Sequence, residues 1–201
     1  MKRSAIAGLA LFGVLSALPA MAQTQPQQRI RGTIEAMDGP VMTIAARGGT
    51  TATVTVADDA TVRTIAPADI HDIKPGTYIG SAAMPQADGS LQALEVQVFP
   101  ESMRGVGEGQ HSFDLKPGST MTNATAGDVT GTDGRVVTMQ YQGHETRLVV
   151  PPGVPVITYE PGNRSQLVKG AHVIVSAVKA DDGSLVSHAV QVGKDGLVPP
   201  M

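Results

Sequence analysis

Apolar and polar residues alternate in short runs along most of this chain. Ile30, Gly32, Ile34 and Ala36 alternate with Arg31, Thr33 and Glu35, the period-2 spacing of a half-buried strand. Asp38-Gly39 then signals a hairpin, and residues 41–46 run back. Gly48-Gly49 turn the chain into Ala52, Val54 and Val56, which alternate with Thr51, Thr53 and Thr55. β-branched residues favour this state because they pack well on a pleated surface. Residues 66–73, with Pro67 near the start and Pro75-Gly76 after the end, predict one or two helical turns. A last hairpin, 78–84 and 91–98, turns at Asp88-Gly89.

The same order then returns. Gly32 answers to Gly127, Asp38-Gly39 to Asp133-Gly134 and Thr43 to Thr138, about 95 positions on. Gly76 answers to Gly170, and Asp88-Gly89-Ser90-Leu91 recurs unchanged as Asp182-Gly183-Ser184-Leu185, 94 positions on. Further strands are predicted at 125–130, 136–141, 147–150, 173–178 and 185–192, with a short helical segment at 164–168. Self-similarity of this kind means one folding unit used twice. Three strands, a small helix and two strands is the order of the OB-type five-stranded barrel. The expected fold is therefore all-β: two tandem small OB-like barrels, residues 29–100 and 123–196, joined by a long Gly-rich connector at 101–122. Units of about 70 residues sit near the lower limit for an independent core, so the halves are expected to pack on each other or on another chain.

The connector belongs to neither copy. A structureless link this long is uncommon in compact domains. Phe113, Leu115 and Met121 give it apolar anchors, so ordered packing between the barrels is expected rather than a free linker.

Composition narrows the partners. Residues 1–22 read as a signal peptide, with Lys2-Arg3, an apolar run at 5–18 and Ala20-Met21-Ala22 as a cleavage pattern. They predict a periplasmic or secreted protein. The chain has no cysteine, which excludes disulfides, thiolate metal sites, a cysteine nucleophile and a lipid anchor at the cleavage point. The formal charge is −3, and loss of Lys2 and Arg3 makes it more negative. Lys and Arg form no run, so nucleic acid is a poor partner. No segment after the leader approaches the ~20 apolar residues of a membrane span.

Five histidines are the obvious candidates for chemistry. His188 is in phase with Val186, Val190 and Val192 and stands where the first copy has Leu94. His172 aligns with Tyr78. In one hairpin these two lie about five residues apart along the strands, or about 16 Å, too far to share a zinc ion held at about 2 Å. His144 falls at a hairpin tip and His71 in a capped short helix. His111, with Glu108 and Asp114 nearby, is a candidate metal cluster that matches no established spacing. Arg104, Phe113, His172 and His188 are candidate interaction residues. No nucleophile elbow or phosphate loop occurs; no cofactor is implied and enzymatic activity is not expected.

The pattern G-x-I-x-x-x-D-G-x-x-x-T-I at 32–44, Lys74-Pro75-Gly76, and A-D-G-S-L-x-A-x-x-V-x-V-F at 87–99 resembles small secreted bacterial barrels grouped as a domain of unknown function. The second copy carries Val168-Lys169-Gly170 in place of the Lys-Pro-Gly. The resemblance implies an OB-like barrel and brings no catalytic residues. The expected function is a non-enzymatic extracytoplasmic binding or interaction module for a protein, peptide or small envelope component. The alternative is a periplasmic metal-handling accessory protein built on His111.

Overall fold

The computed structural model describes residues 27–131 and 135–200; the predicted signal peptide and the Asp133-Gly134 turn lie outside them. The described chain is almost entirely strand, with short 3-10 turns. The strands are β1 (Gln28–Asp38), β2 (Val41–Ala46), β3 (Thr51–Pro67), β4 (Tyr78–Pro85), β5 (Leu91–Val98), β6 (Gly109–Ser112), β7 (Thr120–Thr130), β8 (Val136–Tyr141), β9 (His144–Val149), β10 (Val156–Pro161), β11 (His172–Lys179) and β12 (Leu185–Gly193). No described helix is long and apolar enough to cross a membrane.

β1, β2 and β3 form an antiparallel meander. The strands that close it come from the far end of the chain: β11 pairs with β1, β12 with β11, and β12 runs parallel to β3. This five-stranded ring encloses Ile34, Met42, Ile44, Val54, Val175 and Val190. The other ring is the converse. β7, β8 and β9 are completed by β4 and β5, with β4 against β7 and β5 parallel to β9 at Leu91–Leu148. Its core holds Ile79, Val96, Ala124, Met139 and Leu148. The stretches 29–100 and 123–196 thus exchange their last hairpins, and each ring mixes strands from both halves. Hydrophobic period fixes which residues form strands but not which of two similar meanders a hairpin joins.

Two reciprocal caps sit on the crossing segments. The Asp69 carboxylate accepts the His71 N–H while Asp72 accepts the Asp69 N–H. Asn163 and Gln166 do the same around Arg164–Gln166. Each segment is a single 3-10 turn, shorter than the helix expected at 66–73, because β3 continues to Pro67. Ile70 and Ile73 from the first crossing pack into the second ring, and Leu167 from the second packs into the first.

The recurring Asp-Gly-Ser-Leu has a shared local role. Asp88 Oδ1 accepts from the Ser90 N–H (3.0 Å) and hydroxyl (2.6 Å), and Asp182 Oδ1 does the same for Ser184 (2.9 and 2.6 Å). Gly89 and Gly183 take φ of +81° and +86°, where a side chain would be strained. The tetrapeptide encodes a hairpin turn, not a site.

Register corrects two sequence readings. Ile34 faces Ile44 and Ala126 faces Met139, each just before a bulge, so Ala124, not Gly127, occupies the place of Gly32. His188 is the extra residue of a β-bulge, since Ser187 pairs with Ala177 and Ala189 with Ser176. A bulge breaks the period-2 alternation, and the ring faces out instead of into the core.

Four strand segments lack a sequence forecast: the second half of β3, the first part of β7, β6 and β10. They build the seam between the rings. β10 pairs antiparallel with β3 and parallel with β5. A third core lies there, made of Ile65, Tyr78, Phe99, Ile157, Tyr159 and Ile174, with Met103, Phe113, Met121 and Leu197 against it.

Candidate functional site

The connector is folded onto this seam. A 3-10 turn, Glu101–Met103, starts it, and β6 adds to the edge of β7. Arg104 pairs with the Glu101 carboxylate and donates to the Gly76 carbonyl at 2.9 Å, and its guanidinium lies over the Tyr78 ring. The Val106 carbonyl accepts from the Tyr78 hydroxyl and the Asn123 amide, both at 3.1 Å. Phe113 lies beneath Arg29 and Arg31, whose guanidinium carbons are 4.9 and 5.9 Å from the ring centre. Asp114 takes a forked pair of bonds from Arg31 at 2.7 and 2.9 Å and a third from Arg29 at 3.2 Å. The Arg31 bond, ahead of the burial that opposes it, holds the Asp114 carboxyl down at about 2. The connector therefore bridges β1 of one ring and β7 of the other.

The metal candidates do not gather. Asp114 is committed to two arginines, Glu108 accepts from the Gln142 backbone N–H at 3.1 Å, and His111 points outward from β6. Among the described residues no three His, Asp or Glu side chains are grouped to hold an ion. His172 is half-buried and its Nδ1 lies 2.9 Å from the Thr33 hydroxyl, its partner across the β1–β11 pair. His188 is exposed and its Nδ1 lies 2.7 Å from Asp59. These two sit on one ring, while Arg104 and Phe113 belong to the seam.

Sequence reasoning passed over the most unusual side chain. Glu95 is fully buried. Gln97 Nε2 donates to its Oε1 at 2.9 Å, and the Tyr159 hydroxyl donates to Gln97 Oε1 at 2.8 Å. Glu95 Oε2 has no hydrogen-bond partner, and neither does the buried Nε of Arg31. Burial pushes the Glu95 carboxyl up to about 7, against the opposing pull of the Gln97 bond and the charges of Arg31 and Arg47. Burial, with the Glu95 charge second, also raises the Tyr159 hydroxyl. Val96 faces the ring interior, so Glu95 and Gln97 read in sequence as the solvent-facing positions of β5. What covers them is the first ring across the seam, whose Arg31 and Arg47 lie near Glu95.

Two concavities open along the seam and its flank. One is a groove of about 610 Å³ where Pro100 and Met103 of the connector face Val62 and Arg63 of β3 and Tyr159 and Pro161 of β10. The other, about 220 Å³, lies between the start of β1 and the β2–β3 turn and carries Arg29, Arg31 and Arg47.

A family model described as a domain of unknown function (DUF5666) matches residues 31–97. The match spans β1 to β5, strands that this fold divides between the two rings. No curated protein and no solved structure matches the chain.

Proposed function

We propose that this protein is a non-enzymatic binding module that works outside the cytoplasm and holds a protein, peptide or small envelope component. The recurrence of the strand order supports reading its second half as another copy of the same unit. The leader-like pattern at 1–22 supports export. The observation that carries the binding reading is the seam groove. It is lined by apolar side chains from three separate segments, with Arg63 and Glu160 as the charged groups at its wall, a mix of apolar surface and a few polar groups typical of ligand clefts. Closed rings have no free edges to rearrange, and the ordered connector fixes the groove's upper lip.

A photo-crosslinking residue at Ser102, exposed at the groove, compared with one at Thr53, exposed on the far wall of the first ring, tests this in the cells that make the protein. A discrete adduct from position 102 and none from position 53 is the expected result. Equal labelling from both, or none from either, would remove the groove from the account. Fractionation of the same cells tests the location: recovery of the protein in the cytoplasm alone would overturn export.

A further inference from the structure

Of the two charged side chains at the seam groove, the fold gives a counter-ion to one only. Arg63 sits on β3 opposite Pro161 of β10 and in register with Gln191 of β12. Opposed residues share a face of the sheet, so Arg63 lies on the face that carries Ile65 and Tyr159, at the groove. Glu160 alternates toward the other face of β10, and Lys194 Nζ donates to its two carboxylate oxygens at 3.0 and 2.9 Å. The nearest connector carboxylate in sequence, Glu101, is forked to Arg104 at 2.5 and 2.8 Å. Gln191 does not serve either, since its buried Oε1 has no hydrogen-bond partner. Among the described residues the half-buried Arg63 guanidinium makes no hydrogen bond and no ion pair.

Apolar surface surrounds this cation. Pro100 and Met103 of the connector and Tyr159 and Pro161 of β10 line the groove beside it, and the Tyr159 hydroxyl is bonded to Gln97 at 2.8 Å. A guanidinium partly out of water attracts a carboxylate more strongly than in bulk solvent, because the effective dielectric is lower. Its planar fork also matches two carboxylate oxygens. One cation with no acid opposing it favours a ligand of single negative charge. Donors and acceptors narrow the ligand further. Apart from the hydroxyls of Thr61 and Ser102, no lining side chain is free to accept a hydrogen bond, and Pro100 and Pro161 have no N–H to give. A peptide laid here would bury amides that need partners; a hydrocarbon chain has none.

We propose that the seam groove binds a medium-chain fatty acid, with Arg63 taking the carboxylate and Pro100, Met103, Tyr159 and Pro161 taking the hydrocarbon chain. The proposal rests on the binding-module reading and gives it a ligand class. Size agrees: about 610 Å³ falls within the range of clefts that hold a small organic molecule. The connector gains a role from it, because Pro100 and Met103 supply one side of the apolar contact.

The test is an amide NMR titration of the purified protein with decanoate below its micellar concentration, beside decanol and acetate, which carry the chain alone and the charge alone. Saturable decanoate shifts centred on residues 61–63, 100–103 and 159–162 are expected, with decanol weaker by about tenfold, the loss of one charge-assisted fork. Arg63→Gln should weaken decanoate by about tenfold and leave decanol within about twofold, a split that misfolding does not produce. If Arg63→Gln fails to fold, Ser102→Asp puts a repelling charge at an exposed position of the lip and should weaken decanoate but not decanol. Equal affinity for decanoate and decanol, or decanoate shifts away from the groove, would overturn the proposal. Tighter binding of acetyl-trileucine than of decanoate would overturn it in favour of a peptide carboxyl terminus. A discrete Ser102 adduct in cells with no decanoate binding would keep the binding module and overturn this ligand; neither adduct nor decanoate binding would overturn both.

Discussion

Ile65 on β3 lies directly opposite Tyr159 on β10, and each occupies the corresponding place in its own half, 94 positions apart. An antiparallel pair in which a position meets its own counterpart is the mark of a two-fold axis, the geometry of an isologous interface. Here the axis runs through one chain. Around it the sequence is not symmetric. On one side Tyr159 reaches Gln97, and through it Glu95, while Ile65 offers only an apolar contact.

Tyr159→Phe keeps the ring on Phe99, 5.6 Å away, and removes one buried donor. Leaving Gln97 Oε1 without it is expected to cost about 1–3 kcal/mol. Urea unfolding checks this: a lower midpoint with an unchanged slope is the expected outcome, and an unchanged midpoint would show that the hydroxyl bond contributes no net stability.

Glu95 gives the fold a pH dependence of definite sign. Its folded value of about 7 stands above the ordinary 4.5, so between these two values the folded protein binds more protons than the unfolded chain. The neutral form's contribution is whole below about 4.5 and falls as pH rises through 7. The full difference is on the order of 3 kcal/mol. Glu95→Gln removes the titration, so the gap in stability between variant and parent should favour the variant increasingly from pH 5 to pH 8. A constant gap across that range would contradict the assignment.

The hairpin exchange predicts which cysteines can meet. The natural chain has none, so an engineered pair reports cleanly. Thr33 faces His172 across β1 and β11, and directly opposed residues bring their Cβ atoms within about 4.5–5.5 Å, close to disulfide range. Thr33→Cys with His172→Cys should oxidise within one chain. Thr33→Cys with Tyr78→Cys, the pair that would meet if each half closed on itself, should not. The reverse pattern on a non-reducing gel would mean that the hairpins stay at home.

Gly193 ends β12 where the chain folds back, and a Cβ there would lie 1.8 Å from the Leu197 carbonyl oxygen. Backbone must shift to admit it, so Gly193→Ala is expected to cost about 1–3 kcal/mol as overpacking. It should also loosen the terminal turn in which Lys194 pairs with Glu160. Thermal unfolding and hydrogen exchange of residues 194–197 measure both.

Local order was written plainly in the residues. Period-2 alternation placed β2, β5 and β8 to the residue and most of β1, β4, β11 and β12, and the all-β, five-stranded barrel reading holds in the structure. The turns were equally legible, because Asp, Gly and Ser act on their immediate neighbours. What escaped was set by distant parts of the chain. The bulge at His188 reversed the facing of a side chain that strict alternation had put in phase with the core valines. Glu95 and Gln97 carry a solvent-facing pattern and become buried only because the first ring covers them across the seam.

The same division separates strand identity from strand partnership. Most strands and turns were set by the residues themselves, since those depend on backbone sterics and on burying one face in two. The tertiary structure alone decided that β4–β5 and β11–β12 cross over, that Ile65 meets Tyr159, and that Arg29, Arg31 and Arg47 converge beside a connector carrying Asp114. Two hairpins with near-identical patterns satisfy either meander locally. Only the packing of whole faces, summed over the seam, distinguishes the two closures.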